Sequence, residues 1–88
     1  MATNVSVKFT GGRGKLDATL IRNGVEIDSG SINKSGTIEL ADALRGDTIS
    51  INGSSAGGAT VSINRTTDPP TLDDFTAGPI MSGYDILN

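Results

Sequence analysis

The sequence predicts an all-β domain, a small antiparallel β-sandwich of about six or seven strands with an extended C-terminal arm. Three observations carry this. Short runs alternate apolar and polar residues with the period of a strand and recur about every ten residues, with Gly, Asn and Ser between them. No stretch keeps a helical period beyond about one turn. After Arg65 the composition changes, and all three prolines and two of the three aromatic residues fall in the last segment.

"VSVKF" (5–9) alternates strictly and places Val5, Val7 and Phe9 on one face. The glycine-rich "TGGRGK" leads into "LDATLIR" (16–22), with Leu16, Ala18 and Leu20 inward. Asn23-Gly24 is then a strong two-residue hairpin signal. It pairs Arg22 with Val25, Ile21 with Glu26 and Leu20 with Ile27, which puts Leu20, Val25 and Ile27 on the inner face. A bulge is expected at Ser29-Gly30, before "NKSG" turns the chain into "TIEL". "ADALRGD" (41–47) is a short crossover. "TISIN" (48–52) and "ATVSINR" (59–65) follow as strands, with Ile49, Ile51, Val61 and Ile63 as inward residues. A small barrel is the alternative architecture.

The run from Gly36 through Leu44 to Asp47 resembles the E-to-F corner of immunoglobulin-like and fibronectin-like domains. That resemblance implies an immunoglobulin-like sandwich in which Leu44 plugs the bottom of the core ahead of a Gly-Asp turn. The Cys and Trp hallmarks of antibody domains are absent.

Length and composition exclude several functions. A domain of 88 residues buries only about 60% of the surface its unfolded chain exposes, so its core is thin. Three aromatics (Phe9, Phe75 and Tyr84) leave that core to aliphatic side chains. With no cysteine and no histidine, disulfides, thiolate or histidine metal sites and Ser-His or Cys-His catalysis are excluded on this chain. No cofactor is expected, and the chain is read as non-enzymatic. The first residues lack the pattern of a secretory signal, and no apolar run approaches a membrane span. The product is therefore expected to stay where it is made. Net charge is −3, unevenly placed: residues 1–65 hold seven bases and six acids, residues 66–88 four acids and no base. No basic, aromatic-interleaved stretch suited to nucleic acid occurs.

Candidate motifs were weighed against structural readings. Arg45-Gly46-Asp47 is the tripeptide of adhesion ligands, but here it is expected at a tight corner, with Gly46 making the turn and Asp47 capping amides. "GGRGK" (11–15) lacks phosphate-loop spacing and reads as a hairpin loop. The four Asn-x-Ser/Thr sequons, at Asn4, Asn33, Asn52 and Asn64, are incidental in a chain rich in these residues. Glu26, Glu39 and the Asp73-Asp74 pair read as solvated charge rather than as a catalytic or calcium pair. Carbohydrate binding is the second functional class, through loops 10–15 or 53–58; it lacks the exposed aromatic platform that usually serves it.

The division into residues 1–65 and 66–88 makes the second segment an acidic, proline-started arm. Its apolar residues are too many for a solvated tail. An arm of this kind either completes its own sandwich or reaches over a neighbour, and "IMSGYDIL" (80–87) suits an added edge strand in both cases. In the second case Leu72, Phe75, Ile80, Met81, Tyr84, Ile86 and Leu87 bury against a protein partner, while Asp68, Asp73 and Asp74 meet basic groups. The strand "NVSVKF", the Leu44–Asp47 corner and the arm from Thr66 together resemble the immunoglobulin-like auxiliary and decoration proteins of tailed bacteriophage capsids. That resemblance implies a structural protein on the virion exterior, oligomeric or held in a lattice.

Overall fold

The computed structural model describes residues 2–71 and 73–88. Alternation becomes burial in the order the sequence implies. In β1 (Thr3–Phe9), β2 (Gly14–Arg22), β5 (Thr48–Ser55) and β6 (Ala59–Ile63), every second side chain turns inward. Val5, Val7, Phe9, Leu16, Ala18, Leu20, Ile49, Ile51, Val61 and Ile63 meet there, joined by Ile38 and Leu40 of β4 (Gly36–Leu40). The remaining strands are β3 (Val25–Ile32), β7 (Thr67–Asp68), β8 (Asp73–Phe75) and β9 (Gly78–Ile86). Among the described residues every regular element is a strand.

Two sheets result, with orders β4-β1-β6-β8 and β3-β2-β5-β9-β7, and all neighbours run antiparallel. From β4 onward the chain changes sheet at each connection. Each sheet therefore gives one face to a shared core and one to solvent.

The β2–β3 hairpin differs from expectation at one residue. Asn23 (φ 53°) and Gly24 (φ 76°) both take the left-handed conformation that a two-residue turn of this hand demands. Arg22 faces Val25 and Ile21 faces Glu26, but Leu20 then faces Asp28, so Ile27 is the extra residue of a bulge. The bulge sits at Ile27 rather than at Ser29-Gly30. Beyond it Asp28, Gly30 and Ile32 face inward, while Val25 and Ile27, expected inside, are exposed. The inward glycine has a use: a Cβ on Gly30 would lie 2.7 Å from the Ile38 side chain of the opposite sheet.

The last quarter of the chain takes the first of the two courses open to it. Residues 66–88 run as β7, β8 and β9 within the two sheets, completing the chain's own sandwich. β9 is an interior strand, paired along its length with β5 from Asp85–Thr48 to Gly78–Ser55 and flanked on its other side by β7. The physical reason is period-two burial: Ile80, Tyr84 and Ile86 all point into the core and are at most 1% exposed. The prolines fall where they do no harm to pairing, with Pro69 and Pro70 after β7 and Pro79 near the start of β9.

A carboxylate bridges each open side of the sandwich. On one side Asp28 of β3 accepts the Ala41 amide after β4 at 2.8 Å. On the other, the Tyr84 hydroxyl of β9 donates to Asp73 of β8.

Candidate functional site

Strand direction sorts the loops into two ends. One end, the corner end, carries both termini, the 23–24 turn, the 41–47 crossover and residues 64–66. The other, the glycine end, carries loops 10–13, 33–35, 56–58 and 76–77.

The corner end is built around Asp47, which is buried. The turn 44–47 closes with the Asp47 amide donating to Leu44 O at 2.9 Å, and Gly46 takes φ 93°, a conformation that costs most residues strain. The Asp47 carboxylate accepts the Leu44 amide at 2.8 Å and two guanidinium nitrogens of Arg22 at 2.8 and 3.0 Å. Those bonds, chiefly the one from Arg22, hold Asp47 below the usual carboxylate range against the opposing effect of burial, and they raise Arg22. β9 is tied in as well, since Gly46 donates to Ile86 O and Ile86 donates to Asp47 O, each at 2.8 Å. The tripeptide is thus a corner with its carboxylate turned inward, and only Arg45 of its two charges faces solvent.

Leu44 does not plug the core as the resemblance implied. It is 53% exposed, and Ala43 fills that place, its amide donating to Thr3 Oγ1 at 2.8 Å. Leu44 instead borders an open hollow of about 410 Å³ with Ala2, Arg45, Arg65 and Asn88. Arg65 spans the hollow, reaching Asn88 O at 2.6 Å and Asp42 at 3.4 Å. Val25 and Ile27, on the hairpin, and Leu87, which follows Ile86, are also exposed, so four exposed apolar residues belong to the segments at this end.

The glycine end is bonded differently. Thr10 donates to Gly58 O at 2.9 Å and Ala56 to Arg13 O at 3.1 Å, and Ser55 Oγ accepts the Gly58 amide. The two loops touch backbone to backbone: a Cβ on Gly57 would lie 2.4 Å from Thr10 O. Lys8, Arg13, Lys15 and Lys34 project around them, all exposed.

The residues expected to bind a partner separate into three groups. Ile80, Tyr84 and Ile86 lie in the chain's own core, and Phe75 packs against it. Asp73 receives Tyr84, whose hydroxyl is pushed up to about 12 by burial and by that carboxylate, and Asp74 accepts Thr60 Oγ1 at 2.7 Å. Met81 (78% exposed), Leu87 and Asp68 face solvent, the first on the outer face of the five-stranded sheet. Leu72 lies outside the described residues.

The outer faces are tiled with short polar groups: Thr37, Ser6 and Ser62 in one row, Ser31, Asp17 and Asn52 in another. Phe9 and Tyr84 are buried and Phe75 half-buried, so no aromatic platform stands open to a sugar among the described residues. Glu26 and Glu39 sit on different sheets. Among the described residues no three carboxylates come together to hold a metal ion. Sequence reasoning missed these exposed apolar residues, because Val25 and Ile27 read as core and Leu44 as a plug; the bulge that turns Ile27 out left no signal stronger than the Glu26-Ile27-Asp28 alternation, and Val25, opposite Arg22, is exposed beside the turn.

The arrangement defines a class, a two-sheet antiparallel β-sandwich with largely polar outer faces and exposed apolar and charged residues at one end. No family model matches the chain, and no curated protein or solved structure matches it significantly.

Proposed function

We propose that the protein is a non-enzymatic structural component that docks on repeated protein neighbours, as an auxiliary or decoration protein does on a bacteriophage capsid exterior. The observation that carries this reading is the exposure of large apolar residues at the corner end. Val25, Ile27, Leu44 and Leu87 are exposed there, on a molecule whose sheet faces carry mostly short polar and charged groups with Met81 as the apolar exception, and exposed apolar groups of this size suit a protein interface. Of the residues expected to dock, Leu87, Met81 and Asp68 remain available on the surface, so the partner meets the end and flank of the sandwich rather than an arm.

Strand neighbours support an immunoglobulin-like form. β3-β2-β5-β9 stand as C′, C, F and G strands do, and β4-β1 as E and B. The departure is β6, which takes the place beside β1 that an A strand would hold yet follows β5 in the chain.

The test is sedimentation of the purified protein with assembled particles from its source. A fixed stoichiometric share in the particle fraction, lost in the Leu44→Asp/Leu87→Asp variant while the variant stays folded, is the expected result. Full-chain protein that stays in the supernatant and instead binds a glycan array would replace this reading with the carbohydrate one.

A further inference from the structure

The fold separates charge that the sequence leaves mixed. The basic residues of the glycine end come from three places: Lys8 from the end of β1, Arg13 and Lys15 from either side of the start of β2, Lys34 from the turn before β4. The fold brings these places to one end. The Phe9 amide donates to Ser35 Oγ at 2.9 Å, which draws the Lys34 turn against the end of β1, and Lys15 shares a shallow hollow with Asn33. All four are exposed, and none has an ion-pair partner among the described residues. Asp74, on the strand beyond Thr60, is the one carboxylate on that side, so this end carries a net of +3.

The corner end is the opposite. Three arginines (Arg22, Arg45 and Arg65) stand against seven carboxylates, Glu26, Asp28, Glu39, Asp42, Asp47, Asp68 and Asp85, a net of −4. Asp17 and Asp73 lie between. The molecule is 34 Å long and about 20 Å across, so in about 0.1 M salt its ends lie roughly three Debye lengths apart and each presents its own sign to a neighbour.

We propose that the chain's partner includes a second copy of itself, docked head to tail, the cationic glycine end of one molecule against the acidic, apolar corner end of the next. The proposal rests on the assembly reading above and names its partner. Complementary charge fixes the orientation, because like ends repel. The apolar group at the corner end supplies the area that a purely ionic contact lacks. Such a contact is heterologous: it leaves one free end of each sign and so adds further copies in a row or closes as a ring.

The experiment is light-scattering mass as a function of protein and salt concentration, on the full chain and two charge variants. At about 20 mM NaCl the mass should climb with concentration beyond a dimer, and at about 500 mM it should return to the monomer, as screening of exposed charges requires. Arg13→Glu/Lys15→Glu/Lys34→Glu, and separately Glu26→Lys/Glu39→Lys, should each weaken association about a hundredfold or more. Circular dichroism confirms that both stay folded. The decisive arm is their equimolar mixture, which should form a 1:1 heterodimer and stop there, since each variant keeps one working end.

A full chain that stays monomeric at low salt overturns the proposal. So does association that survives both charge variants, or that stops at a symmetric dimer. Particle co-sedimentation at 500 mM NaCl, with no self-association, would leave the assembly reading standing and remove the head-to-tail contact alone.

Discussion

The two ends of the sandwich are held by different means. At the corner end, residues 43–47 bind three other parts of the chain: Arg22 of β2 through the Asp47 carboxylate, Ile86 of β9 through two backbone bonds, and Thr3 of β1 through the amide of Ala43. At the glycine end, two loops lie backbone on backbone, which only residues without a Cβ allow, and their charged side chains are left to solvent. Side-chain bonds therefore concentrate at the corner end, and positive charge unpaired among the described residues stands at the opposite one.

The largest effect expected from breaking this contrast comes from removing the segment that reaches the corner end. A chain ending at Thr66 loses β7 to β9, leaves β5 with an unpaired edge and takes Ile80, Tyr84 and Ile86 out of a thin core. It should show no cooperative melt by circular dichroism. A folded monomer from this truncation would return residues 66–88 to the status of an arm.

Asp47→Ala comes next. It leaves the Leu44 amide without its acceptor and Arg22, 31% exposed, to solvent, which should cost about 2 kcal/mol and lower the melting temperature by roughly 10 °C. Arg45→Ala, in the same tripeptide but exposed, should change stability by less than about 0.5 kcal/mol. The pair of variants separates corner from adhesion signal. The pH dependence has a definite sign: the folded state holds Asp47 below its ordinary value of 3.8, so its contribution is present above that value and lost as pH falls through the lower folded value. Acid melts of Asp47→Asn should lack that loss.

At the glycine end, Gly57→Ala drives a Cβ into Thr10 O and should cost about 2 kcal/mol as the loops part. Tyr84→Phe removes the bond to Asp73 and should cost about 1 kcal/mol. Tyr84 is the sole tyrosine and there is no tryptophan, so its ultraviolet titration is unobstructed. It should ionise near 12 in the folded chain, and because the unfolded group ionises near 10, stability should fall as pH rises between those values. The smallest effect is reserved for Leu44→Ser, which should leave stability within about 0.5 kcal/mol while weakening docking.

Much of the fold was legible because it rests on alternation. Val5, Val7, Phe9, Leu16, Ala18, Leu20, Ile49, Ile51, Val61 and Ile63 read as inward and are buried, and Asn23-Gly24 announced its turn. What failed did so for identifiable reasons. The bulge at Ile27 shifts the parity of β3 by one, so that Asp28, not Ile27, turns inward, and the carboxylate finds the Ala41 amide to satisfy it. β9 carries the same alternation in Ile80, Tyr84 and Ile86, but Asp68-Pro69-Pro70 before it left open whether the segment completes this sandwich or a neighbour's. The exposure of Val25 and Leu44 reflects the turn and crossover they occupy, which alternation alone does not carry, and the grouping of Lys8, Arg13, Lys15 and Lys34 depends on topology that spacing does not carry either.

The central claim is that β9 is an interior strand binding the corner end to the core. Native-state hydrogen exchange tests it most directly. The amides of β9 that pair with β5 should exchange only through global unfolding, with the same free energy as those of β2 and β5. Rapid exchange along 80–86 while β2 and β5 stay protected would contradict it.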